Sequence, residues 1–229
     1  MTIEQGYKFN GIDLGALGLI VTKCSPAPCS QEEYDTISVP GRSDQLRIPK
    51  KTRKSVQIVA ECTLVEPDRL RDVYAVMQGK GTFVHRDEPD KYYRAVPQVI
   101  TPQNIILYMN KMTITFDCEP FAYEIEDPDV EISDTTSFSV TNYGTVYCQP
   151  TYTLYGTGEI ALTANGDTVH TLVIPGVEDY VVADAEKIIV HKDGTFKRFS
   201  GQIPFLNVGK NTFESNAEKI VIKKNVRWI

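Results

Sequence analysis

Between Val56 and Leu64 the chain puts an apolar residue at every second position: Val56, Ile58, Ala60, Cys62 and Leu64. Gln57, Val59, Glu61 and Thr63 fill the gaps. A period of two places one set of side chains on each face of an extended strand, whereas a helix would scatter the apolar set around its axis. A strand buried on one face needs strand neighbours and a layer to cover it, so this segment commits its surroundings to a β-sheet. Ile114, Phe116 and Cys118 alternate with Thr113, Thr115 and Asp117 in the same way. The 12 Tyr and 9 Phe add to that bias, because aromatic side chains suit a pleated surface.

One segment reads differently. In EPDRLRDVYAVMQGKG, residues 66–81, Leu70, Val73, Tyr74 and Met77 fall at i, i+3, i+4 and i+7, the spacing of one helix face. Pro67 suits the first turn, and Gly79 can adopt the left-handed conformation that stops a helix. Beyond residue 125 no helical period recurs. Short strands are expected at Thr151–Tyr155, Glu159–Ala164, Thr168–Ile174, Glu186–His191, Thr195–Phe199 and Lys219–Lys223. Asn165-Gly166 and Asp193-Gly194 supply residues that tolerate positive φ at tight turns. This spacing predicts an antiparallel sandwich. Between the two patterns lies EIEDPDVEISD, residues 124–134, with six carboxylates and a proline in eleven positions. It reads as a linker. The expected organisation is an N-terminal domain over 1–124, an acidic linker over 125–136 and a C-terminal β-sandwich over 137–229.

The net charge is −6, with a balance of −1 up to residue 124 and −5 after it. That gives no global attraction to nucleic acid or to an anionic membrane. Five scattered cysteines, Cys24, Cys29, Cys62, Cys118 and Cys148, do not make a disulfide framework and suit a reducing cytosol. No basic stretch followed by a long apolar one opens the sequence, so no secretion signal is expected. No apolar run is long enough to span a membrane.

Catalytic patterns fail on context. His85-Arg86-Asp87 shares three letters with a kinase catalytic loop, but Tyr92 stands where the asparagine is needed. Gly156-Thr157-Gly158 lies between strands and not before a helix, which makes it a turn. Cys24 and Cys29 lack two further ligands for a structural zinc site. No GxSxG elbow is present, and no carboxylate pair stands out among 30 acidic residues. No catalytic, cofactor or metal residue is therefore assigned, and the chain is read as no enzyme.

One charged segment stands out. RSDQLRIPKKTRK, residues 42–54, carries six basic residues against Asp44 alone. It has no aromatic platform for nucleic acid. An acidic protein partner fits it better, and the 124–134 segment of another copy is one candidate.

Several segments in order resemble the siphophage distal tail protein (Dit) family: FNGIDLGALGLIVTK (9–23), VPGRSDQL (39–46), the strand–helix pair ending at Gly79, FDCEPF (116–121), NYGTVYCQPTYTLYGTGEIALTANG (142–166) and FSGQIPFLNVGKNTF (199–213). The resemblance covers essentially the whole chain. It implies a mainly β fold: an N-terminal β-sandwich-like domain with one helix, and a C-terminal galectin-like antiparallel β-sandwich without a carbohydrate-binding insertion, so that no direct host-sugar binding is expected. It implies a hexameric ring at a virion tail tip, made in the bacterial cytoplasm. The ring would join the tail tube to the tail-associated baseplate hub protein, and DNA would pass through without specific binding. Pro40, Gly41, Arg42, Arg47, Lys50, Lys51, Arg53 and Lys54 would belong to an arm embracing the next subunit. The rival reading is a carbohydrate-binding, lectin-like β-sandwich protein. Against it stands the scarcity of tryptophan, Trp228 alone, one residue from the end.

Overall fold

The computed structural model describes residues 4–106 and 109–229. They fall into two compact units, which divide between Ile125 and Glu126. Strands dominate both, and among the described residues there is one α-helix. The mainly β expectation holds.

The first unit contains β1 (Lys8–Phe9), β2 (Ile12–Asp13), β3 (Leu19–Cys24), β4 (Glu32–Ile37), β5 (Leu46–Arg53), β6 (Val56–Leu64), α1 (Leu70–Val76), β7 (Gly81–Val84), β8 (Lys91–Ile106) and β9 (Met109–Glu124). Seven of these strands form one sheet in the order β2-β1-β7-β8-β9-β6-β3, with antiparallel neighbours throughout. Strand β6 buries Val56, Ile58, Ala60, Cys62 and Leu64, the set its alternation marked out. Its register puts Ile58 opposite Phe116 and Ala60 opposite Ile114 on β9. Phe116 in turn stacks on Phe83, with ring centroids 4.1 Å apart.

The helix is shorter than the period suggested. Residues Pro67–Arg69 form a 3₁₀ turn, α1 follows, and the chain leaves the helix at Met77. Val73 and Met77 are buried, and Gly79 takes φ 69°. The long strand β8 gave little warning in the sequence because it contains Pro97. Its pairing with β7 ends at Ala95, so Pro97 faces only β9 and interrupts no second ladder.

The second unit contains β10 (Val130–Ile132), β11 (Phe138–Asn142), β12 (Thr151–Tyr155), β13 (Gly158–Ala164), β14 (Leu172–Val177), β15 (Tyr180–Asp184), β16 (Ile189–Lys192), β17 (Thr195–Phe196), β18 (Gly209–Ser215) and β19 (Lys219–Lys223). One antiparallel sheet runs β10-β19-β12-β15-β16-β17, and a second runs β11-β18-β13-β14. Both contribute to a single core, with Tyr152, Leu154, Ile220 and Ile222 from the first and Ile160, Leu162, Ile174 and Phe213 from the second. That is a β-sandwich. Asp193 and Gly194, at φ 48° and 79°, make the two-residue turn between β16 and β17.

The 125–136 segment differs from a free linker. Val130, Glu131 and Ile132 pair with Ile222, Val221 and Ile220 on β19. Asp127 is nearly buried; it accepts from the Val226 amide at 3.1 Å and pairs with Lys224 at 3.1 Å. Thr135 is buried and donates its hydroxyl to the Ala217 carbonyl. The composition hid a period-two pair, Val130 and Ile132, among the carboxylates.

Candidate functional site

Strands β4 and β5 pair only with each other among the described residues and stand apart from the sheet built around β6. Their register sets Tyr34 opposite Pro49, Asp35 opposite Ile48, Thr36 opposite Arg47 and Ile37 opposite Leu46. A two-stranded ribbon has no second layer to bury either face, and such ribbons are marginal alone in water. Its residues are accordingly almost all exposed from Glu32 to Lys50, with Glu33 half-buried.

At the tip, the Arg42 amide donates to the Val39 carbonyl at 3.1 Å. Pro40 fixes φ at the second position of this turn, and Gly41 takes φ 85° at the third. That is the chemistry of a type II turn, in which a side chain at the third position would be strained. Pro40, Gly41 and Arg42 therefore form the end of the ribbon.

At the root, the Arg53 guanidinium donates to the Ser30 carbonyl at 2.8 Å, and the Lys54 amide donates to the Gln31 carbonyl at 3.0 Å. Ser25 ties the preceding loop to β6 through its own amide and the Val59 carbonyl (3.0 Å), and through the Val59 amide and its hydroxyl (2.9 Å). His85, fully buried, completes the root. Its Nδ1 accepts from the Asp87 amide at 3.2 Å, so Nε2 carries the proton and donates to the Ser25 carbonyl at 3.1 Å. The His-Arg-Asp triplet thus serves to seat the loop beneath the ribbon.

The basic run is not a bare cationic strip. Register places it against Glu32, Glu33 and Asp35 of β4. Lys50 pairs with Asp35 at 2.9 Å, and this hydrogen bond raises the lysine pKa. Thr52 donates to Glu33 at 2.8 Å, and Tyr34 donates to Glu32 at 2.7 Å, which raises the tyrosine pKa. Residues 31–54 hold six basic and four acidic side chains, a net of +2. Arg47 and Lys54 are exposed on this ribbon; the Lys51 side chain lies outside the described residues.

What the linear reading missed is an apolar face. Ile37, Leu46 and Ile48 share one side of the ribbon with Asp35, which lies across from Ile48, and with Lys50 nearer the root. They are 46%, 39% and 44% exposed. The period-two spacing of Leu46, Ile48 and Lys50 carries a signal for this face, but it becomes a patch only when β4 brings Ile37 alongside.

Among the described residues no group of three or more His, Cys, Asp or Glu side chains is placed to hold a metal ion. No described helix is long and apolar enough to cross a membrane.

No known family model matches the sequence, and no curated protein matches it. The fold does have a solved counterpart. The crystal structure of the SPP1 Dit (gp 19.1) protein, described as a paradigm of the hub adsorption apparatus in phages infecting Gram-positive bacteria, superposes with a TM-score of 0.76. The alignment covers 94% of this chain and 96% of that one at 14% identity. At that identity the likeness is one of fold.

Proposed function

We propose that the protein is a hub subunit of a phage tail tip, which closes with five further copies into a ring. In this reading the ring joins the tail tube to the tail-associated baseplate protein, and DNA passes through it without specific binding. The observation that carries the reading is the β4–β5 ribbon, an exposed apolar-faced arm with no partner layer of its own. The fold likeness to a hub protein over nearly the full length of both chains supports it.

A ring of identical subunits needs two different patches per subunit, so that each contact passes to the next copy and the rotation closes. The arm is one such patch. Its turn at Pro40-Gly41 and its root at Ser30 and Arg53 hold it ready before the neighbour arrives, which reduces the ordering cost of binding. Pro49 removes a ladder donor from β5, which leaves β4 the better edge for pairing across subunits. The net charge of −6 disfavours phosphate contact by the ring as a whole.

The test is size-exclusion chromatography with light scattering, followed by negative-stain imaging. Six-fold rings are expected. A monomer at every concentration and salt condition would sink the proposal.

A further inference from the structure

At one end of the C-terminal sandwich a pocket of about 250 Å³ opens between the turn that follows β13 and the 200–207 segment. We infer that it is a binding site for a single neutral pyranose unit of a glycan. The inference goes beyond the hub reading and does not depend on it.

The pocket is built, and its walls are held from behind. Asn211 is fully buried. Its side-chain oxygen accepts from the Asn207 amide at 2.9 Å, and its side-chain nitrogen donates to the carbonyls of Asn207 at 2.8 Å and Gly209 at 3.1 Å. Asn165 joins this network from the other wall, donating to Asn211 at 3.3 Å and accepting from the Thr212 amide at 3.0 Å. The fully buried Tyr152 donates its hydroxyl to the Pro204 carbonyl at 3.0 Å. Gly201, at φ 78°, lets the 200–207 segment lie against Thr171: a Cβ there would sit 1.8 Å from the Thr171 carbonyl oxygen. These contacts fix the cavity before any ligand enters, as small-molecule sites require.

The groups left facing the pocket match a sugar. The side-chain amides of Gln202 and Asn207 are exposed and make no hydrogen bond among the described residues. Each offers two donors and an acceptor. His170 Nδ1 lies 2.8 Å from an Asp167 carboxylate oxygen, and a carboxylate can only accept. The Nδ1 proton therefore faces Asp167, and Nε2 is the ring nitrogen left for the pocket. Sugar hydroxyls both donate and accept, so this set can pair with several at once. Phe205 lines the same pocket, and its ring lies 5.7 Å from that of Tyr147, tilted by 44°. Tyr147 is 42% exposed and is backed by the Arg227 guanidinium at 5.0 Å. The half-buried Phe205 ring, beside these amide groups, offers an apolar platform for the C–H face of a pyranose.

Charge and size narrow the ligand. No lysine or arginine lines the pocket, and Asp167 is present, so a phosphate, sulfate or uronate has no countercharge. The Asp167 carboxylate is already engaged by the Val169 and His170 amides at 3.1 and 3.2 Å and by the His170 ring, which leaves it poorly placed to recruit a cation. The volume lies below the ~300–1,000 Å³ of sites for drug-sized ligands, which suits one ring with its neighbours in solvent.

Saturation-transfer NMR on the full chain tests this, with the methyl glycosides of glucose, galactose, mannose and N-acetylglucosamine as probes and glucuronate as the anionic control. At least one neutral glycoside should receive saturation. The Gln202→Ala/Asn207→Ala double variant should weaken it about tenfold or more, as loss of two hydrogen bonds predicts. Phe205→Ala should do the same, and thermal unfolding of both variants shows that the fold survives. No signal from any neutral glycoside, glucuronate alone binding, or undiminished binding in the folded double variant would each overturn the inference. The double variant should assemble as the wild type does, so loss of sugar binding with assembly intact separates this site from the hub reading.

Discussion

Replacing Ile37, Leu46 and Ile48 together by threonine should cripple assembly while leaving the isolated subunit folded. Threonine favours a strand at all three positions and keeps the β-branching of Ile37 and Ile48, so the change falls mainly on apolar surface. Fully burying one such side chain is worth about 1.5–3 kcal/mol. The three are 46%, 39% and 44% exposed, so roughly two-fifths of that remains to be gained when a partner covers them. The sum is about 2–3.5 kcal/mol per contact, which corresponds to about 30- to 400-fold in association. In a closed ring every subunit makes the contact twice, so the loss compounds. Sedimentation velocity across a concentration series reads the assembly, and far-UV circular dichroism during heating reads the subunit. The subunit should lose no more than about 0.5 kcal/mol, the usual range for exposed positions. If the triple variant assembles at the same concentration as the wild type, the apolar face is not a contact. If the monomer itself loses several kcal/mol, the three side chains pack within the chain, and the reasoning from exposure is wrong.

Three further outcomes follow from particular residues. Asp184 is nearly buried; burial pushes its pKa up, but bonds from the Lys187 side chain and amide and the Glu186 amide prevail and hold it below the ordinary value. A lowered folded value means that its stabilisation is present above the unfolded pKa near ~3.9 and is lost as pH falls through the folded value. Asp184→Ala should therefore cost about 1–2 kcal/mol in urea unfolding at pH 7, and a gap that fails to shrink below pH 4 would contradict this. Burial pushes the Cys62 and Cys118 thiols up to about 12, and Cys24 up to about 11. Iodoacetamide at pH 8 should accordingly label the exposed Cys29 long before those three, as peptide mass mapping would show. Ile188 sits 64% exposed at φ 56°, a conformation that costs a β-branched residue about 1–2 kcal/mol. Ile188→Gly should raise the unfolding midpoint despite its larger chain entropy, and a lowered midpoint would mean that the side chain makes contacts worth more than the strain.

Periodicity is legible in sequence because it is local. The alternation of β6 named its buried face residue by residue, and Asp193-Gly194 named its turn. Thr151–Tyr155 and Lys219–Lys223 were marked by the same pattern and are strands with those bounds. Where two signals conflicted, the reading failed. The carboxylates of residues 124–134 concealed strand β10, because composition was weighed without knowing that β19 would pair with it. Expected strand 168–174 became a loop to Thr171 followed by β14, since Asp167 turns the chain by accepting from the Val169 and His170 amides.

By itself the sequence determined a β-rich chain and a run of six cations. Only the tertiary structure decided what that run is. Folding back on β4, it meets three carboxylates and loses most of its excess charge, while Leu46 and Ile48 gain Ile37 as a neighbour and become an apolar face. The sugar-sized pocket is equally invisible in sequence, since Asn165, Gln202 and Asn207 are brought together by two chain segments about forty residues apart. Charge, turn preference and period are properties of neighbours along the chain. Faces and cavities are properties of neighbours across it, and those are set by strand register.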